Sequence, residues 1–232
     1  ASSVKTPYLI LGGIILIIAI VFFFLKLPEI KEEESVTGNK GSIWKALKHK
    51  HLAWAVAAQF FYVGAQVCVF SFFILYATDA VGIDKKAAGD YAGYGMGLAF
   101  LIGRVFGTFL MKFIKAEHLL VFYAVASAVL CGLAMTASGN TALFSMIGIA
   151  FFMSIMFPTI FSLGIKDLGS DTKFGSSLII MSIVGGAILP PVMGFIADQS
   201  NIQMGYIVPL ICFVVVFLFG LKGHKIEGKD LI

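Results

Sequence analysis

The run LAWAVAAQFFYVGAQVCVFSFFILYA, residues 52–77, decides the fold. It carries no formal charge, and at ~1.5 Å of rise per residue it crosses a hydrocarbon core of about 30 Å with length left for tilt. In lipid only a helix or a closed barrel satisfies the backbone, and an apolar run this long without strict alternation is a helix. Inside it Gln59, Tyr62 and Gln66 stand at i, i+3 and i+7, on one helical face. Polar side chains at that depth cost free energy unless paired. The stripe is therefore expected to face a water-accessible cleft or a protein interior, not lipid.

Further apolar runs of helix length cover residues 8–25, 91–111, 119–137, 141–165, 174–197 and 204–221. The 232 residues are 59% apolar and 13% charged, against about 25% charged in globular domains. With a mean hydropathy of +0.96, the sequence reads as an all-α polytopic membrane protein in a lipid bilayer. Cys68, Cys131 and Cys212 lie singly in apolar runs and read as small core hydrophobes. His49, His51, His118 and His224 fall at span edges, where solvated interface residues are expected and no metal set forms. No nucleophile, base and orienting group come together and no phosphate loop appears, so neither an enzyme nor a bound cofactor is expected.

The first run begins almost at Ala1, and Leu25 is followed by Lys26-Leu27-Pro28-Glu29 with no small-residue cleavage site. The chain thus reads as a piece whose beginning is missing. The expected organisation is a leftover transmembrane helix (1–26), a charged linker (27–51), a six-helix bundle (52–222) and a tail (223–232). Residues 42–50 of the linker read either as a short amphipathic surface helix or as plain solvated chain. Taking loops alternately, the linker lysines with Lys112, Lys115, Lys166, Lys173, Lys222, Lys225 and Lys229 share one side, against Lys5, Lys85 and Lys86 on the other. That imbalance makes the linker and C-terminus cytoplasmic, and it accounts for the net charge of +4 without a nucleic-acid partner.

Six spans suggest two triplets of opposite orientation. Ala58-Gln59-Phe60-Phe61 in the first helix of one triplet falls at the depth of Ala150-Phe151-Phe152-Met153 in the first helix of the other. The second helix of each triplet is rich in small residues, Gly103 and Gly107 in one and Ser182, Gly186, Pro190 and Gly194 in the other. This spacing lets backbones approach closely and is also where helices can slide. Pro158, Pro190, Pro191 and Pro209 interrupt spans, either as simple kinks or as gate elements. Arg104 is the exception to the lack of charge within the spans; lying toward the cytoplasmic end of its helix, it reads as a gate or brace, with Asp167, Asp171 or Glu117 as partners.

A neutral solute bearing hydroxyls needs hydrogen-bond partners and an apolar face to lie against. Gln59, Gln66 and Tyr62 supply the first, and Phe157 or Phe161 the second; Ser154 and Ser162 add hydroxyls, unless they bond their own helix backbone. No carboxylate is placed to titrate at mid-depth. The rival reading makes the amides interhelical ties in a non-transporting bundle, such as a receptor or an assembly subunit.

QFFYVGAQV (59–67), FPTIFSLGIKDLG (157–169) and MSIVGGAILPPVMGFIAD (181–198) resemble the seventh, tenth and eleventh helices of the L-fucose permease group of the major facilitator superfamily, the fucose, galactose and hexose symporters. The resemblance covers essentially the whole chain, as that family's sixth to twelfth helices. It implies proton-coupled symport of a neutral sugar of the L-fucose, galactose or glucose class by alternating access in a bacterial cytoplasmic membrane. It implies as partner a missing N-terminal six-helix half that holds the proton-handling carboxylates. Pro158, Gly186 and Pro190 with Arg104 are then gating candidates. A facilitator of another neutral solute is the alternative.

Overall fold

The computed structural model describes residues 2–25 and 46–226, and it divides into two units, 1–39 and 40–232. In the first, α1 (Ser2–Phe24) is one uninterrupted helix; its side chains from Tyr8 to Leu25 are exposed within the chain. The second unit holds six helices long and apolar enough to cross a membrane: α2 (Lys50–Val81), α3 (Lys85–Leu110), α4 (Ala116–Thr136), α5 (Gly139–Gly164), α6 (Gly169–Gln199) and α7 (Ile202–Gly223). Residues 27–45 lie outside the described residues, and with them the first part of the expected surface helix (42–50); its described remainder, residues 46–49, is mostly turn and bend ahead of α2.

Helix ends follow local chemistry, and several lie outside the apolar runs. After α2 the chain turns at Gly82, whose φ of 82° suits a residue without a Cβ. Asp84 then caps α3 by accepting from the Lys86 and Ala87 amides at 2.9 and 3.1 Å. That cap starts the helix six residues before the hydrophobic run at Tyr91, because a capped polar turn needs no lipid. Asn201 plays the same part for α7, accepting from the Met204 amide at 2.9 Å. At the C-terminal end of α4, Tyr76 donates to the Ala134 carbonyl at 2.7 Å. Gln203 donates to the Ala134 and Ala137 carbonyls at 3.1 and 2.9 Å. These bonds occupy carbonyls that a helix end leaves orphaned.

The packing pattern repeats. Helix α2 packs on α6, α7 and α5, while α5 packs on α3, α4 and α2, and α4 lies along α7. Exchanging α2 with α5, α3 with α6 and α4 with α7 leaves this pattern unchanged. Each triplet has three helices, so the first helices of the two triplets run in opposite directions across the membrane, which is the inverted arrangement expected from the sequence. The core between these helices holds Tyr62, Tyr76, Tyr123, Tyr206, Phe73 and Phe213 almost fully enclosed. Cys68, Cys131 and Cys212 are buried and unpaired there, as the expected small hydrophobes.

Candidate functional site

The centre of the unit is built around a break in α5. Pro158 has no N–H to give the Ser154 carbonyl, and the helix opens there, ending at Met153 and resuming at Met156. Two hydroxyls stitch the gap: Ser154 donates to the Phe151 carbonyl and Thr159 to the Ile155 carbonyl, both at 2.7 Å. Across the seam, Tyr62 donates to the Met153 carbonyl at 2.8 Å. The Phe157 ring sits edge-on to the Tyr62 ring, with centroids 6.3 Å apart. Tyr62 and Met153 are equivalent positions of the two triplets in the pairing of Phe60 with Phe151, so this bond lies on the exchange axis itself.

Glycines seat the neighbouring helices against both sides of the break. A Cβ on Gly103 of α3 would collide with the Phe151 carbonyl oxygen, and one on Gly185 of α6 with the Phe60 carbonyl oxygen. These are the same contact in the two triplets. One turn further on, Gly107 faces Ile155, whose Cγ2 would lie 2.6 Å from an added Cβ. In the other triplet the roles are reversed, and the Leu189 side chain fills the place of a Cβ on Gly64. Close backbone approach of this kind is what membrane helices use in place of a hydrophobic driving force.

Gln59 and Tyr62 are completely enclosed, so the expected cleft does not reach them. The reason is the closeness of the seam: small residues on α2 and α5 draw the helices together, and Gly164 leaves no room for a Cβ beside Ala55 one turn before Gln59. Both amide atoms of Gln59 lack a protein partner. Gln66, further along the stripe, is half-buried, and among the described residues it makes no hydrogen bond. Phe157, Phe161 and Pro158 are half-buried and Ser162 is exposed, whereas Ser154 is buried and spent on its own backbone. The structure thus brings Gln59, Tyr62, Ser154, Phe157 and Pro158 together at one level.

Of the other gating candidates, Gly186 packs against Val63 and Val67 of α2. Pro190 lies with Pro191 inside α6, a turn beyond a 3-10 stretch at Ser182–Val184. Arg104 is exposed on α3. One of its expected partners is engaged elsewhere, since Asp171 lies 3.5 Å from His49 Nε2. The histidines were expected to be solvated, but His51 is buried, with Nε2 3.0 Å from the Lys166 carbonyl oxygen. These two contacts hold the start of α2 to the loop after α5 and the first turn of α6. Sequence reading missed them because a histidine at a span edge gives no sign of which distant loop folds onto it.

The sequence pattern of the Major Facilitator Superfamily matches residues 1–181, and the chain belongs to that family. It is 41% identical over 224 residues to the L-fucose-proton symporter of Escherichia coli K12, covering 94% of this chain and 51% of that protein. It is 39% identical over 235 residues to a putative glucose/galactose transporter of Helicobacter pylori J99, covering 99% of this chain and 57% of the relative. A crystal structure of the E. coli fucose:proton symporter superposes with a TM-score of 0.83 at 40% identity, over 94% of this chain and 55% of that one. A structure titled as a Major Facilitator Superfamily transporter in the outward conformation matches with the same score. The chain spans about half the length of the relatives it matches.

Proposed function

We propose that this chain is the C-terminal half of a bacterial inner-membrane sugar transporter, forming one wall of a central site for a neutral sugar of the L-fucose, galactose or glucose class. The observation that supports it most is the likeness, at 40% identity and a TM-score of 0.83, to half of a fucose:proton symporter. The chemistry of the centre agrees with a neutral solute. Among the described residues the carboxylates lie at helix ends or in loops, so no fixed negative charge waits at mid-depth for a cation. In this reading Gln66 presents the open amide of the stripe, Phe157 or Phe161 offers a ring face, and Ser162 adds a hydroxyl. Tyr62 holds the broken α5 in place beside them. In this reading Gln59, without a partner in this state, gains one through a local movement of α2 against α5.

The remaining half of the transporter, in our reading, seats on the two helices that this chain covers least. Only 17% of the apolar window of α3 and 22% of that of α6 is buried within the chain, against 50 to 61% for α2, α5 and α7. The two poorly covered helices are equivalents of one another, and in our reading they carry the contact with the other six helices. Proton coupling belongs to carboxylates on that half, with no other cofactor, and the lysine-rich side faces the cytoplasm. Arg104, Pro158, Gly186 and Pro190 act in gating.

Uptake of labelled L-fucose, galactose and glucose by vesicles carrying the complete protein tests this directly. Uptake of at least one of the three that collapses with an uncoupler is expected. No uptake of any neutral sugar would instead support the reading in which the amides only tie helices together.

A further inference from the structure

At the end of the unit where α4 begins and α5 closes lies a cavity of about 560 Å³, lined by Lys115, Glu117, Lys166, Asp167, His224 and Lys225 with Leu163 and Ile226 as its apolar wall. None of the residues assigned to the sugar wall lines it. Two features make it fit for a phosphate, and a third for hydroxyls beside one. Lysines come from three separate elements: the residue before α4, the loop after α5 and the tail after α7. The cavity opens at the N-terminal end of a helix of 21 residues, where Lys115 makes no side-chain cap to the first amides, so the positive end of the helix dipole adds to the lysine charge. The carboxylates of Glu117 and Asp167 are acceptors on the same wall, suited to hydroxyl donors on the ligand.

We propose that this cavity binds the headgroup of an anionic phosphodiester lipid, with Lys115 and Lys166 on the phosphate oxygens and Glu117 accepting from headgroup hydroxyls. The location selects a lipid over free phosphate. The cavity lies at the ends of membrane-crossing helices, the depth at which headgroups sit, and Leu163 and Ile226 offer apolar surface to the first carbons of the chains.

Native mass spectrometry of the complete protein from mixed micelles tests the proposal, with phosphatidylglycerol and phosphatidylcholine as probes. Phosphatidylglycerol should be retained more tightly than phosphatidylcholine. The double variant Lys115→Gln, Lys166→Gln should weaken phosphatidylglycerol by about 30-fold, from the usual contribution of two lysines near an anionic headgroup. Lys115→Arg with Lys166→Arg should keep the preference, separating charge from a damaged fold. Lys112→Gln should leave it unchanged, since Lys112 lies over the Phe109 ring and outside the cavity. Equal retention of both lipids, indifferent to the glutamine variants, would overturn the site. Displacement of phosphatidylglycerol by millimolar inorganic phosphate would overturn the lipid assignment in favour of a free-anion site.

Discussion

The seam between α2 and α6 and the seam between α3 and α5 are two copies of one contact that carry different chemistry. Both are made by a glycine, Gly185 or Gly103, pressed on the carbonyl of a phenylalanine, Phe60 or Phe151. Beside Phe60 stands Gln59, buried with both amide atoms unpartnered; beside Phe151 stands Ala150, equally buried and apolar. Packing at this depth therefore needs only a small residue, and the amide is an added cost that the fold does not explain. The break is asymmetric too. Pro158 opens α5, and Tyr62 of the unbroken α2 fills the opening by bonding Met153. The half with the proline receives a hydrogen bond, and the half with the glutamine and the tyrosine supplies it.

The comparison can be broken most forcefully at the glycines. Gly103→Val and Gly185→Val each drive side-chain atoms into a backbone carbonyl, and overpacking of this kind costs about 1–3 kcal/mol or more. Thermal unfolding in detergent should show similar losses for both, and a large loss at one site only would contradict the equivalence of the seams. Gln59→Met, which keeps the length and removes the orphaned amide, should stabilise by up to about 1–3 kcal/mol while lowering sugar uptake. A destabilised Gln59→Met protein would show that the amide already has a partner. Tyr62→Phe removes one interhelical bond and should cost only about 0.6–1.7 kcal/mol. Its uptake should fall further than that loss alone implies, because the broken turn is no longer held beside Phe157.

Much of this was legible from residue order. Charge-free runs gave the spans, because lipid leaves backbone groups no choice but a helix. The match of Ala58-Gln59-Phe60-Phe61 with Ala150-Phe151-Phe152-Met153 found the right depth but was one residue out of register, since the Tyr62 bond to Met153 and the equivalence of Phe60 with Phe151 set an interval one residue shorter. What could not be read was which way the stripe faces. Periodicity puts Gln59, Tyr62 and Gln66 on one side of α2, but whether that side meets water or another helix depends on how close the neighbour comes. Gly164 against Ala55 and Gly185 against Phe60 set that distance, and their partners are far away in sequence. For the same reason His51, assigned to solvent by its position, is buried against the Lys166 carbonyl.

In the proposed function the open end of the stripe, at Gln66, touches the transported sugar. Uptake of labelled sugar by the complete protein carrying Gln66→Ala, measured beside its thermal unfolding midpoint, tests this most directly. Uptake should fall at least about tenfold, the worth of roughly 1.4 kcal/mol of lost contact, while the midpoint stays where it was, because half-buried Gln66 has no bond to lose in this structure. Unchanged uptake at an unchanged midpoint would contradict it and leave the stripe as helix packing.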